Sequence, residues 1–150
     1  QVMGVFHSDL VGIQARVLQR LGSRHVLVVH GADGMDEISI SEATYVAELK
    51  DGQVSEYTVH PDLFGLPISP IGMLRVANAD EACEKLLGVL NNEVGAARDI
   101  VQMNAGAAIY VAGLAHTLQE GVKKAGQVIA SGAAKTKLDQ LIALSNRFKA

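Results

Sequence analysis

The sequence predicts an α/β domain with a mixed, mostly parallel sheet packed by helices, and three observations carry that prediction. Apolar runs at residues 2–6 and 26–29 flank a segment with apolar residues at helical spacing. Strand, helix, strand at that spacing makes a right-handed βαβ unit with parallel strands. Alternating runs at 43–49 and 54–59 enclose Lys50-Asp51-Gly52-Gln53, and Asp-Gly suits a tight antiparallel hairpin whose central residues both need positive φ. The remainder, from Asn78 onward, is patterned as helix.

Each element has its own local signals. Ser8 is suited to cap the first helix, with Asp9 favourable in its first turn. Leu10, Ile13, Val17 and Leu21 recur at helical spacing and predict the face laid on the sheet, and Gly22 supplies the stop. Pro61, Pro67 and Pro70 punctuate an irregular connection. Asn78 or Asp80 caps a helix over 81–90, which Asn91-Asn92-Glu93 breaks. A long helix is expected over 96–118, where Gly106 and Gly113 each cost about 1 kcal/mol relative to Ala. Its small residues Ala105, Gly106, Ala108, Ala112 and Gly113 allow close backbone approach. Helices over 119–131 and 134–148 complete the chain, the last with Leu138, Leu141, Ile142 and Leu144 as its core stripe.

Candidate chemistry gathers directly after the second strand, in His30-Gly31-Ala32-Asp33-Gly34-Met35-Asp36-Glu37. The βαβ unit opens both strand ends, His7-Ser8 and His30-Gly31, on one edge of the sheet, where ligands of open α/β sheets bind. Carboxylates there suit Mg²⁺, which takes hard oxygen ligands and often bridges protein groups to substrate phosphates. The spacing does not fit an EF-hand loop. The alternative is a solvated turn, since Asp-Gly is a common turn former. Within the octet, Asp33 reads as a turn residue. His30 reads as a hydrogen-bonded structural residue at a strand end, and Gly31 as serving a backbone conformation closed to side chains. Asn104, on an alanine-rich helix, reads as a buried amide bracing a loop. Arg16, Arg20 and Arg24 lie toward the other end of the unit and read as a solvated face. Ser8 and the His and Asp residues form no hydrolase triad, because no nucleophile-elbow sequence is present.

Composition narrows the function classes. One hundred and fifty residues suit one domain, and 49% hydrophobic with 19% charged residues supports a packed core. A net charge of −3, no Trp and only 4% aromatics disfavour a nucleic-acid or membrane-surface binder. Cys83, the single cysteine, sits in an amphipathic helix pattern and is expected to be a buried or half-buried, inert thiol. No apolar run reaches the ~18 residues of a membrane span, so a cytoplasmic protein is the default expectation.

The octet, its preceding strand, the opening run Val2-Met3-Gly4-Val5-Phe6-His7-Ser8-Asp9 and the later run Asn104-Ala105-Gly106-Ala107-Ala108-Ile109-Tyr110-Val111-Ala112-Gly113 resemble the anthranilate phosphoribosyltransferase family. The resemblance runs in order along the whole chain, and the octet is its most specific piece. It implies a nucleoside phosphorylase/phosphoribosyltransferase C-terminal-like domain, incomplete: residues 1–150 as the carboxyl-terminal part of the α/β catalytic domain. The amino-terminal helical domain and the first part of the α/β domain would be absent. The family's Gly-Thr-Gly-Gly-Asp turn, Lys-His-Gly-Asn segment, serine-rich loop and anthranilate arginine do not occur here, and the chain opens on Gln1 without an initiator Met. A fragment, inactive by itself, is the expectation.

The resemblance further implies transfer of phosphoribosyl from phosphoribosyl pyrophosphate to anthranilate in tryptophan biosynthesis. Mg²⁺ would be held by Asp36 and Glu37, and the full-length enzyme would be a homodimer without nucleic-acid or membrane partners. The rival readings are a pyrimidine nucleoside phosphorylase-like transferase, a non-catalytic nucleic-acid-binding relative, and a metal-binding domain without activity.

Overall fold

A computed structural model describes residues 1–148. Its sheet has four strands in the order β1 (Val2–Gly4), β2 (His25–Gly31), β3 (Thr44–Lys50), β4 (Gln53–Val59). The sheet is mixed, with the expected hairpin, but its balance differs from the mostly parallel sheet that the sequence predicts. Among the described residues β1 and β2 run parallel, whereas β2·β3 and β3·β4 are antiparallel. The physical reason is topological: one βαβ crossover yields one parallel pair, and the hairpin adds two antiparallel ones.

β2 is the centre of the fold, with Val26 to Gly31 all buried. Alternate residues point to opposite faces. Val26 and Val28 join Val5, Val11, Ala15, Ala47 and Leu49 under α1 (Asp9–Arg20). Leu27 and Val29 join Ile38, Ile40, Val46, Met103, Ala107 and Tyr110 under α3 (Ala96–Val111). Burying one such side chain contributes roughly 1.5–3 kcal/mol, so covering both faces makes β2 a firm platform for whatever follows it.

Of the predicted face of α1, only Leu10 packs against the core. Ile13, Val17 and Leu21 are exposed, and Val11, Gly12 and Ala15 are buried instead. Small residues let the helix approach the sheet closely, and that approach outweighs the larger apolar stripe. Ser8 makes no side-chain cap bond; the Asp9 amide donates instead to His7 Nδ1 at 3.2 Å. Gly22 stops the helix as expected, at φ +83°, with its own amide on Gln19 and the Ser23 amide on Leu18. Asp51 and Gly52 both take positive φ in the hairpin turn.

In the helical half the predicted helices form, but the third is shorter than the sequence predicts. α3 ends at Val111, not near 118, because Gly113 turns left-handed and the Leu114 amide closes on Ile109. α2 (Ala79–Leu90) is capped by Asn78, which accepts from the Glu81 amide at 2.9 Å, while Glu81 accepts from the Ala77 amide at 2.8 Å. α4 (Leu118–Ala130) repeats this device with Thr117, Glu120 and His116. α3 and α4 meet through glycine: a Cβ on Gly106 would strike the Val122 backbone, and one on Gly121 the Gly106 carbonyl.

α5 (Ala133–Asn146) buries no residue; Leu141, Ile142 and Leu144 are exposed, so the expected core stripe is not one within this chain. Only its Leu138, of the four, lines an apolar groove of about 570 Å³ with Leu74, Leu86, Val89 and Ile100. Cys83 is exposed, contrary to expectation, because the packed side of α2 runs through Gly88 and Val89. Among the described residues no helix is long and apolar enough to cross a membrane.

Candidate metal site after the second strand

The octet leaves β2 at the same sheet edge from which β1 runs into α1. His30, buried at the end of β2, places Nδ1 2.8 Å from the Val5 carbonyl. A carbonyl only accepts, so Nδ1 carries the proton and the ring ties the two strand ends together. This is the structural role that the sequence predicts for it.

Asp33 turns inward. Its Oδ1 accepts from the Met35 amide at 3.2 Å, and its Oδ2 from the Ser39 and Ser41 hydroxyls at 2.6 and 2.5 Å. Burial pushes this carboxyl up, but the two serine hydroxyls and the Met35 amide outweigh it and hold the group below its ordinary value. Asp33 is thus a structural acceptor, in line with its reading as a turn residue. Gly31 has a different reason from the one expected. A Cβ there would lie 2.5 Å from Asp33 Oδ1 and 3.1 Å from the Ser39 Cβ, so space, not φ, excludes a side chain.

Asp36 and Glu37 are both exposed at the rim. Two contacts fix their backbone. A Cβ on Gly4 would overlap the Asp36 carbonyl, so β1 passes directly beneath that residue. Beyond Glu37, the Asn104 carboxamide accepts from the Ile38 amide at 2.9 Å and donates to the Ile38 carbonyl at 3.0 Å. Asn104 is therefore the loop-bracing amide that the sequence predicts. Partial desolvation, followed by the adjacent Asp36 charge, raises the Glu37 carboxyl. Two carboxylates held together in this way repel, and a cation would relieve the repulsion.

The donor set fits Mg²⁺ bridged to a substrate. Among the described residues no cluster of three or more His, Cys, Asp or Glu side chains is placed to enclose an ion. Mg²⁺ does not require such a cage: it keeps several waters and is often bound by one or two carboxylates plus substrate phosphates.

A second polar centre escaped the sequence reading. Glu48 is buried on the α3 side of β3, accepting from Tyr110 at 2.7 Å and from Tyr57 at 2.9 Å, with His25 Nε2 at 2.9 Å. Period-two alternation already placed this acid on the same face as Val46, and that was the available signal. Glu48 pairs with Leu27 across the strands, toward the start of β2 and away from the octet. Burial pushes its carboxyl up, but the bonds from Tyr110, His25 and Tyr57 prevail and lower it. Its role is to join α3 to the sheet.

The chain as a whole is similar to known proteins. The family model described as "Glycosyl transferase family, a/b domain" matches residues 1–135. The anthranilate phosphoribosyltransferase of Burkholderia vietnamiensis is 54% identical over 149 residues, covering 99% of this chain and 43% of the relative. That of Burkholderia multivorans gives the same figures, 54%, 99% and 43%. The chain therefore spans less than half the length of the curated relatives it matches. The crystal structure of the enzyme from Thermus thermophilus superposes with a TM-score of 0.85 at 34% identity, covering 93% of this chain and 41% of that one. The enzyme from Saccharomyces cerevisiae in complex with PRPP and Mg matches in fold, with a TM-score of 0.80 at 23% identity over 92% of this chain and 40% of that one.

Proposed function

Because the chain belongs to the glycosyl transferase family, through its a/b domain, we propose that it is the carboxyl-terminal part of the catalytic domain of an anthranilate phosphoribosyltransferase. The reaction moves phosphoribosyl from phosphoribosyl pyrophosphate to the amine of anthranilate and releases pyrophosphate, a step of tryptophan biosynthesis. The observation that carries the reading is the exposed Asp36–Glu37 pair on a braced loop at the ligand edge of the sheet, in a chain 54% identical to named members.

Asp36 and Glu37 would hold Mg²⁺, which when bound neutralises the charge of the departing pyrophosphate. The chain's own part is positional. The octet presents two carboxylates at a fixed place, Asp33 keeps its turn closed, and His30 joins the strand that precedes it to β1. Holding reactants in register in this way supplies a large share of the rate in such transfers. No covalent nucleophile is needed. The reading carries with it a homodimer, as the family resemblance implies, with the cytoplasm as default location and without nucleic-acid partners, in keeping with the net charge of −3.

The test is the full-length protein with anthranilate, phosphoribosyl pyrophosphate and Mg²⁺. Loss of anthranilate fluorescence that requires both other components is the expected result. Phosphate-dependent cleavage of pyrimidine nucleosides, with anthranilate untouched, would replace this reading by the phosphorylase one.

A further inference from the structure

We infer that Asn104 is a positioning residue for the Asp36–Glu37 pair, setting where the two carboxylates stand through its hold on the backbone of Ile38. The inference rests on the metal-site reading above. Asn104 lies inside α3, where asparagine is a poor helix former. Its side chain is nevertheless fully used: it bonds both the amide and the carbonyl of Ile38, 66 residues away in sequence, and its Nδ2 also reaches the Ile100 carbonyl at 3.1 Å. The last bond ties the carboxamide to its own helix one turn back and so fixes its rotamer.

Ile38 is 1% exposed, so its backbone groups have no recourse to water. Asn104 serves them as a neighbouring strand would. The helix that carries it is anchored by Met103 and Ala107, both 0% exposed. The peptide leaving Glu37 is thus held from α3, while the Asp36 carbonyl lies directly against Gly4 of β1. The backbone of the pair is bonded to α3 on one side and packed closely on β1 on the other. Groups behind the direct ligands commonly govern metal affinity by about 10–100-fold.

The test uses the full-length protein with phosphoribosyl pyrophosphate and with Mn²⁺ as probe, and binding is read from water-proton relaxation. Asn104→Ala is expected to weaken Mn²⁺ binding about tenfold or more. It is also expected to raise the Mg²⁺ needed for half-maximal rate by a similar factor, with the KM for anthranilate little changed. Asn104→Gln keeps the amide but shifts it by a methylene, so it is expected to fold and to weaken Mn²⁺ binding in the same direction; it decides the matter if the alanine variant does not fold. Wild-type affinity for Mn²⁺ in a folded variant would overturn the inference and leave the metal site standing. A wild-type protein that binds no Mn²⁺ even with phosphoribosyl pyrophosphate present would overturn the metal site and this inference with it.

Discussion

At the residue scale, the octet divides its acids by partner. Asp33 spends its oxygens on Ser39, Ser41 and Met35, leaving Asp36 and Glu37 as the outward pair. Glu37, raised by desolvation and by the Asp36 charge, favours the folded state most when protonated. That contribution is present below its ordinary value of 4.5 and is lost as pH rises through the higher folded value. Glu37→Gln should therefore melt at the same temperature or higher at pH 7 without metal, with the gain vanishing in acid; a clearly lower melting temperature at pH 7 would contradict this. Gly31→Ala should destabilise by about 1–3 kcal/mol, read by chemical denaturation, because its Cβ would intrude on Asp33 Oδ1. The parts of the octet were legible from residue type: a histidine at a buried strand end and an amide on a small-residue helix both proved to be braces. The reason for Gly31 was not, since the intruding carboxylate comes from a turn whose path no local pattern specifies.

At the element scale, the signals that held were those in which chain geometry leaves few choices. Asp51-Gly52 demanded positive φ and received it, and Gly22 closed α1. Gly52→Ala should cost about 1–2 kcal/mol, the penalty of a left-handed L-residue, seen as a lower denaturation midpoint with an unchanged slope. The readings that failed depended on choosing between two stripes of one helix. In α1 the large apolar residues Ile13, Val17 and Leu21 pointed one way, yet Val11, Gly12 and Ala15 face the sheet. Periodicity weighs side-chain size, whereas close packing on a sheet rewards its absence. In α3 a glycine tolerated in mid-helix, Gly106, and one that ends the helix, Gly113, look alike in sequence. Gly106 faces Val122 of α4, while Gly113 has open space around a positive φ.

At the scale of the whole molecule, polar ties hold α3 at both ends: Asn104 to Ile38 in the loop that carries the octet, and Tyr110 to Glu48 and Lys50 of β3 near the other end of β2. Glu48, whose folded carboxyl is lowered, contributes stability above its ordinary value of 4.5 and loses it as pH falls through the lower folded value. Stability should therefore decline as pH falls below about 4.5, and Glu48→Gln should flatten that part of the stability–pH curve. Glu48→Ala should cost about 3 kcal/mol or more, since it strips the acceptor from Tyr57, Tyr110 and His25 together. In the proposed function the charge of Asp36 and Glu37 serves Mg²⁺ and not the fold. The most direct test is the rate of anthranilate consumption against Mg²⁺ concentration in the full-length protein carrying Asp36→Asn with Glu37→Gln. A large loss of rate and a raised Mg²⁺ requirement, at an unchanged or higher melting temperature, is the expected result. A near-normal rate at low Mg²⁺ would contradict it and reduce the octet to a turn.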